Sequence, residues 1–294
     1  MRNFEWLEPK SVGEASRMVG EAGEGAKLMA SGTSLLLLMR QRIFSPTHVV
    51  SLGRLKDLDS IKFEDGALRI GALTRHRSIE HHPEIAARFP MITEMARRVA
   101  NPQIRNMATI GGNLAHNDPA SDPPACFLAL NATVKTVRGK KTREIPLEKF
   151  FVDYYETCLK PDEVLTEIRI PALPPGSVGV YTRFTTTPAE DRPLLGVGMV
   201  LSLAKDKTIT DARISLGAST PVPIRARAAE EALRGQPATE EVFARAGKAA
   251  SEEVKPLDDF RGSADYRREI IKVIVRRTAL RALERARGNG RTKA

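Results

Sequence analysis

Residues 27–40 constrain the fold more than any other part of the chain. They read KLMASGTSLLLLMR, in which a short apolar run breaks at four small residues and a second apolar block follows. This pattern predicts a strand, a tight turn at residues 31–34 and then a helix. Such a turn leaves backbone N–H groups free, and the start of the helix favours negative charge. A phosphate or pyrophosphate group is therefore the expected ligand of the turn.

A second unusual stretch spans residues 101–125, NPQIRNMATIGGNLAHNDPASDPPA. It is rich in Gly, Asn, Asp and Pro and has little periodicity, so we expect an irregular segment with a functional role. Residues 109–113 repeat the chemistry of the first turn, with a hydroxyl, two glycines and an amide side chain. Two such turns suit a pyrophosphate, and a dinucleotide is the commonest ligand of that kind. Asp122 could accept a hydrogen bond from a ribose or ribityl hydroxyl, although each residue taken singly also suits an ordinary turn or helix cap.

The rest of the pattern predicts two regions on either side of a linker that is rich in proline and glycine at residues 171–176. Before the linker, the sequence predicts helices at residues 12–22, 79–87, 90–100 and 121–129, and strands at 48–52, 61–63, 67–73, 133–137, 142–145 and 163–170. After it, three strands at 178–186, 194–204 and 209–217 precede three helices at 225–233, 239–251 and 263–287. Strands followed by helices indicate an α+β domain with helices against one face of an antiparallel sheet.

Composition and motifs exclude several classes of function. The chain has a net charge of +10, but no stripe of basic residues alternates with aromatic residues, so we expect no nucleic-acid partner. Apolar blocks such as residues 35–39 are far too short to cross a bilayer, so no integral membrane segment and a cytoplasmic location are expected. Cys126 and Cys158 cannot ligate an iron–sulfur cluster alone. No Rossmann, P-loop or hydrolase motif occurs, and the pair His81-His82 is interpreted as solvated rather than as a metal ligand.

The two turns, with Asp118-Pro119-Ala120-Ser121-Asp122 after the second, closely resemble the FAD-binding medium subunit of molybdenum hydroxylases. This family includes aerobic carbon monoxide dehydrogenase, 4-hydroxybenzoyl-CoA reductase and bacterial xanthine dehydrogenase. The resemblance covers nearly the whole chain. Residues 4–9 are similar to the opening segment of the family, and GSADYRR at residues 262–268 is similar to the motif that opens its last helix.

The resemblance implies a fold and a set of cofactor-binding residues. The fold is α+β, with a vanillyl-alcohol-oxidase (PCMH)-type FAD-binding domain at residues 1–174 in two subdomains, about 1–56 and 57–174. A C-terminal domain at residues 175–288, with a three-stranded antiparallel sheet and a helical bundle, and a tail at 289–294 complete the chain. The residues implied to contact FAD are Leu28, Met29, Ala30, Ser31, Gly32, Thr33, Ser34, Leu35, Thr109, Ile110, Gly111, Gly112, Asn113, Asp122, Leu165 and Thr185.

Two positions depart from the family pattern. Ser31 replaces a glycine found in many relatives, and a side chain there requires a negative φ. Residues 185–192, TTTPAEDR, replace a basic cluster near the flavin ring, so the resemblance carries no implication of NAD use.

The implied function is that of an FAD-dependent oxidoreductase subunit without catalytic side chains of its own. It would pass electrons between [2Fe–2S] clusters of a small subunit and an external carrier, in a hetero-oligomer that also contains a molybdopterin-bearing large subunit. A dimer of heterotrimers is the expected assembly, and the basic last helix is a candidate contact with the partners. The alternatives are a stand-alone FAD-dependent oxidoreductase acting on its own substrate, and a non-enzymatic nucleotide-binding module.

Overall fold

The computed structural model describes residues 2–187 and 192–291. The chain forms two compact units, each assembled from three segments. The first unit comprises Met1–Ile79, Ala100–Asp118 and Ala132–Pro171, and the second comprises Glu80–Val99, Pro119–Asn131 and Ala172–Ala294. The domain boundary expected at residue 174 lies close to the last of these divisions and stays a prediction.

The strands and helices follow the chain in alternating groups. The strands are β1 (Glu5–Leu7), β2 (Ala26–Met29), β3 (His48–Ser51), β4 (Ile61–Glu64), β5 (Ala67–Gly71), β6 (Thr133–Arg138), β7 (Lys141–Pro146), β8 (Phe151–Asp153), β9 (Glu156–Thr157), β10 (Val164–Pro171), β11 (Ser177–Phe184), β12 (Leu195–Leu203), β13 (Ile209–Gly217) and β14 (Ile224–Arg225). The helices are α1 (Val12–Ala22), α2 (Leu35–Arg40), α3 (His76–His81), α4 (Pro83–Arg88), α5 (Pro90–Arg98), α6 (Pro102–Met107), α7 (Ile110–His116), α8 (Asp122–Ala129), α9 (Arg227–Leu233), α10 (Glu240–Glu252) and α11 (Ala264–Arg291).

The first unit contains two main sheets. Strands β1 and β2 flank β3 in a parallel sheet, whereas β4, β5, β10, β6 and β7 form an antiparallel sheet in that order. The expected capping box begins α1, where the Glu14 N–H donates to Ser11 Oγ at 3.2 Å. The expected hairpin β4–β5 turns at Asp65 and Gly66, which have φ of 52° and 68°. These positive values are those that a two-residue turn requires, so the hairpin prediction is confirmed.

The expectation that residues 101–125 are irregular was wrong. They form α6, α7 and the start of α8, and side chains cap the first two helices. Asn101 Oδ1 accepts from the Ile104 N–H at 2.9 Å, and Thr109 Oγ1 accepts from the Gly112 N–H at 3.3 Å. Helices of six or seven residues make fewer than two turns, so they show little hydrophobic periodicity, and their caps were the available signal.

The helix expected at residues 79–87 is two helices, α3 and α4. Pro83 occupies the first turn of α4, and His82 is the N-cap, with its Nδ1 accepting from the Ile85 N–H at 3.4 Å. Proline suits the first turn of a helix but not its interior, which explains the break. Among the described residues, no group of three or more His, Cys, Asp or Glu side chains could hold a metal ion.

The second unit is built on the antiparallel sheet β11-β12-β13-β14. Three strands were expected, and the fourth, β14, has only two residues, which is too short to show an alternating pattern. Helices were expected on one face only, but they cover both. The core of one face joins β11–β13 to α9, α10 and α11. On the other face α8 approaches closely, since Ser215 Oγ donates to the Ala125 carbonyl oxygen at 2.5 Å.

No helix within residues 2–187 and 192–291 combines the length and the apolar character that crossing a membrane would need.

Candidate functional site

The turn between β2 and α2 carries a group of unused hydrogen-bond donors. Gly32 has a φ of 78°, and the Leu36 N–H donates to its carbonyl oxygen at 2.9 Å. In the described part of the chain, no N–H of residues 31–34 donates a hydrogen bond, and the hydroxyls of Ser31, Thr33 and Ser34 form none either. Ser31 is not among the residues with positive φ, so its side chain fits the turn without strain. The turn therefore has backbone amides and hydroxyls available to bind an anion.

The second loop contributes differently from the first. The N–H groups of Ile110 and Gly111 donate to the carbonyl oxygens of Thr74 and Ala72, both at 2.9 Å. The Gly112 N–H donates to Thr109 Oγ1, and the Asn113 N–H to the Thr109 carbonyl oxygen at 3.0 Å. These backbone donors are thus already engaged within the first unit. The loop can still offer a ligand the proton of the Thr109 hydroxyl and a surface without a side chain at Gly112.

The two loops lie side by side in the first unit, although about 80 residues separate them in sequence. A Cβ atom added to Gly112 would lie 3.6 Å from the Cβ of Ala30 and 2.8 Å from Thr109 Oγ1. Gly111 is packed more tightly, because a Cβ there would lie 2.5 Å from that of Ala72. Glycine at these two positions allows the second loop to approach the first and the strand end beneath it.

The other expected site residues of the first unit support the loops. Met29 and Leu35 pack in a small apolar cluster beneath the first turn, and Leu28 is half-buried. Leu165 is buried on β10, next to a register irregularity. The Ala72 N–H donates to the carbonyl oxygen of Thr166, the next residue on β10, at 2.9 Å. Strand β10 therefore holds the segment on which Gly111 rests.

Asp122 and Thr185 belong to the second unit. Asp122 is only 4% exposed in the first turn of α8, where its Oδ1 accepts from the Tyr181 hydroxyl at 2.8 Å and lies 3.5 Å from Arg183 Nε. Burial raises the pKa of Asp122 to about 6, although Arg183 and Tyr181 oppose the shift. Thr185 is half-buried just beyond the end of β11. Residues 188–191 lie outside the described residues. They are the middle of the segment 185–192 that departs from the family pattern. Residues 292–294 of the expected tail also lie outside the described residues.

His76 is a buried residue beside the second loop that sequence reasoning missed. Its backbone N–H donates to the Ala108 carbonyl oxygen at 3.1 Å, and the preceding residue, Arg75, forms an isolated antiparallel β-bridge with Thr109. Its side chain is 0% exposed, and neither ring nitrogen has a hydrogen-bond partner within the described residues. Burial, and then the charge of Arg105, lower its pKa to about 4. A lone histidine carries no sequence signal that separates a buried ring from a solvated one.

We expect His76 to make the free energy of unfolding depend on pH. Between its unfolded pKa near 6.5 and its folded pKa of about 4, the folded chain binds fewer protons than the unfolded chain. The free energy of unfolding should therefore fall as the pH falls through this window, by up to about 1.4 kcal/mol per pH unit and by about 3 kcal/mol in total. Urea unfolding of the wild type and His76→Leu at pH 7 and pH 4.5 measures the effect. If the free energy of unfolding depended equally on pH in the two proteins, the predicted role of His76 would be contradicted.

Comparisons with known proteins match nearly the whole chain. Residues 2–173 match the family described as the FAD binding domain in molybdopterin dehydrogenase, and residues 181–282 match the CO dehydrogenase flavoprotein C-terminal domain. The chain belongs to the FAD-binding medium subunits of the molybdenum hydroxylases. It is thus an FAD-dependent oxidoreductase subunit, as the resemblance implied, and FAD is its cofactor.

Individual relatives are similar over almost their full length. The carbon monoxide dehydrogenase medium chain of Hydrogenophaga pseudoflava is 35% identical over 93% of this chain and 95% of that one. The 6-hydroxypseudooxynicotine dehydrogenase complex subunit alpha of Paenarthrobacter nicotinovorans is 34% identical over 97% and 96%. Among solved structures, carbon monoxide dehydrogenase from Hydrogenophaga pseudoflava superposes with a TM-score of 0.93 at 36% identity, covering 97% of this chain and 98% of that chain. The mixed α/β fold, an FAD-binding domain followed by a C-terminal domain, is therefore shown.

The residues of this flavoprotein subunit fit the pyrophosphate of FAD. The free amides and hydroxyls of residues 31–34 match an acceptor that carries two negative charges. A side chain at Gly112 would begin 3.6 Å from the Ala30 Cβ, so glycine keeps this position bare beside the first turn.

Proposed function

We propose that residues 31–34 hold the FAD pyrophosphate through their backbone N–H groups and the hydroxyls of Ser31, Thr33 and Ser34, with the Thr109 hydroxyl as a further donor. The observation that carries this assignment is the set of donors in the first turn that the chain itself leaves unused. Residues 28–35 and 109–113 as a whole are proposed to line the pyrophosphate, and Leu165 and Thr185 to lie near the rest of the cofactor. Asp122 is proposed to accept from a ribityl or ribose hydroxyl.

We further propose that the chain relays electrons between [2Fe–2S] clusters of a small partner subunit and an external carrier. Bound flavin supplies the ability to exchange one or two electrons, and the protein's task is to hold and tune it. Most residues of the site donate hydrogen bonds, and among the described ones no two side chains form an acid–base pair. His76 is fully buried, and Asp122 is hydrogen-bonded to Tyr181. The site thus favours a relay over a stand-alone oxidoreductase, which would need an accessible base.

The assembly is proposed to contain a molybdopterin-bearing large subunit and the small [2Fe–2S] subunit, arranged as a dimer of heterotrimers. Several relatives are named as medium chains or subunits of larger enzymes, which supports this proposal. Helix α11 stays a candidate contact with partners, but part of its charge is used within its own unit. Arg285 pairs with Glu94, and Arg276 lies 3.4 Å from Glu240. The PCMH-type subdomains and the cytoplasmic location stay predictions.

The absorbance of the purified chain tests the proposal. We expect flavin absorbance bands at about 370 and 450 nm and the release of FAD on denaturation. In the intact complex, the flavin bands should bleach when a molybdenum-site substrate is added without oxygen. A purified chain without flavin would contradict the cofactor site. Flavin that stays oxidised while the iron–sulfur clusters are reduced would contradict the relay.

A further inference from the structure

Three glycines allow helix α8 to lie directly against the sheet of the second unit. A Cβ atom added to Gly198 on β12 would lie 2.6 Å from the Ala125 carbonyl oxygen, and one added to Gly217 on β13 would lie 3.1 Å from the Ala125 Cβ. Gly196 on β12 makes room for a side chain instead, because a Cβ there would lie 2.5 Å from the Tyr181 hydroxyl. The bare strands thus allow the start of α8 and the Tyr181 hydroxyl to meet.

The two oxygens of the Asp122 carboxylate, at the start of α8, have different environments. Oδ1 accepts from the Tyr181 hydroxyl at 2.8 Å and lies 3.5 Å from Arg183 Nε. Oδ2 forms no hydrogen bond within the described residues, and it is not one of their fully enclosed atoms that lack a partner. An oxygen without a donor costs free energy in a buried carboxylate, so Oδ2 is suited to accept from a ligand hydroxyl.

Tyr181 is held firmly within β11. Its side chain is 3% exposed, and its carbonyl oxygen accepts from Arg281 Nη1 on α11 at 3.3 Å. Within the described residues, its hydroxyl forms one hydrogen bond, the one to Asp122. Burial raises the pKa of Tyr181 well above its usual value, so the phenol keeps its proton and stays a donor. A donor fixed in this way fixes the orientation of the carboxylate that it binds.

The titratable and charged groups around Asp122 and its neighbour on α8 come from three elements: Arg183 and Tyr181 of β11, Arg98 and Glu94 of α5, and Cys126 of α8. The two arginines and the Tyr181 hydroxyl all favour the ionised carboxylate, against the effect of burial. The Cys126 thiol is uncharged, because burial raises its pKa. Removing the Tyr181 hydroxyl should therefore raise the pKa of Asp122 beyond its value of about 6.

We propose that Tyr181 is a positioning residue of the cofactor site, which binds one oxygen of Asp122 so that the other accepts from a ribityl or ribose hydroxyl of FAD. This proposal rests on the FAD site proposed above. Tyr181 acts through Asp122 and does not itself bind the cofactor. A purely structural hydrogen bond would instead leave FAD binding independent of the Tyr181 hydroxyl.

Fluorescence titrations of the full chain, after its FAD has been removed, test this role. Dissociation constants for FAD are measured between about pH 5 and pH 8. The variants are Tyr181→Phe, Asp122→Asn and the double variant, and circular dichroism checks that each is folded. Tyr154→Phe is the matched control, since Tyr154 is 43% exposed and its hydroxyl forms no hydrogen bond within the described residues. FMN, and ADP as a competitor, separate the ribityl chain from the ribose.

At pH 7, Tyr181→Phe should weaken FAD binding by about tenfold, and Tyr154→Phe should leave it unchanged. The double variant should bind FAD no more weakly than Asp122→Asn, because both changes act on one contact. A loss in FMN binding would identify the ribityl chain as the donor to Asp122, and a loss in ADP binding would identify the ribose.

The pH profile provides a second measurement. FAD affinity of the wild type should fall as the pH falls through about 6, since a neutral acid is a weaker acceptor than a carboxylate. Tyr181→Phe should move this fall to higher pH, and Asp122→Asn should lack it.

Two results would overturn the proposal: a pH profile that Tyr181→Phe leaves unchanged, or losses that add in the double variant. In either case the phenol would not act through Asp122. A wild-type chain that does not bind FAD would instead contradict the proposed function.

Discussion

The Gly112→Asp variant is expected to lose FAD while the chain stays folded. Gly112 lies where the two loops meet, and a side chain there would extend from a point 3.6 Å from the Ala30 Cβ. The carboxylate would stand in the space proposed for the pyrophosphate, and repulsion between like charges in a poorly solvated site costs several kcal/mol, enough to weaken binding by about a thousandfold. The ratio of absorbance at about 450 nm to that at about 280 nm after gel filtration measures retention.

Two matched variants separate charge from size at this position. Gly112→Asn has nearly the same volume without the charge, so it should keep part of the FAD. Gly112→Ala displaces the Thr109 hydroxyl, which lies 2.8 Å from the new Cβ, and should weaken binding modestly. Circular dichroism confirms that each variant is folded. Full FAD retention by Gly112→Asp would reject the assignment of this loop, and equal losses in the Asp and Asn variants would reject the role of charge.

The first turn was predictable because its signal is local. A strand, small residues and an apolar helix follow one another within 14 residues, and one glycine with φ of 78° makes the turn. The juxtaposition of the two loops was a hypothesis from their similar chemistry. The distance of 3.6 Å between a Cβ built on Gly112 and the Ala30 Cβ supports it.

The use of the second loop's backbone donors was not predictable. Ile110 and Gly111 donate to the carbonyl oxygens of Thr74 and Ala72, which lie more than 30 residues earlier. A pairing at that separation depends on how β5 and β10 bring the two segments together. The same limit applies to β14, to the helices on the second face of the sheet, and to His76. Each depends on contacts between distant segments, for which a single sequence carries no periodic signal.

The energy of an ion pair is also not predictable from the sequence alone, as two arginines on β6 and β7 and their carboxylate partners illustrate. Arg138 pairs with Asp162, and Arg143 pairs with Glu163, so the two carboxylates are neighbours in sequence. Their environments differ, because Glu163 is only 3% exposed whereas Asp162 is half-buried. The sequence does not distinguish the two pairs, but the burial of Glu163 makes their expected contributions to the free energy of unfolding different.

The Arg143→Met variant should lower the free energy of unfolding by about 3 kcal/mol, since it leaves a buried carboxylate without its cation. Arg143 donates to both oxygens of Glu163 at 2.6 Å, and Thr136 and the Lys160 N–H donate as well. Burial raises the pKa of Glu163, but these hydrogen bonds outweigh it and hold the pKa at about 2. The lowered pKa adds stability above about pH 4.5 that is lost as the pH falls towards 2.

Urea unfolding at pH 7 measures these effects, with Arg138→Met as the control, for which less than about 1 kcal/mol is expected because its pair faces solvent. The double variant Arg143→Met/Glu163→Leu removes both charges and should recover much of the loss, because a buried ion pair contributes little net stability relative to apolar side chains. If Arg143→Met and Arg138→Met lowered the free energy of unfolding equally, the burial of Glu163 would not determine the size of the effect. A double variant no more stable than Arg143→Met would show that packing of the arginine stem, rather than the unpaired carboxylate, causes the loss.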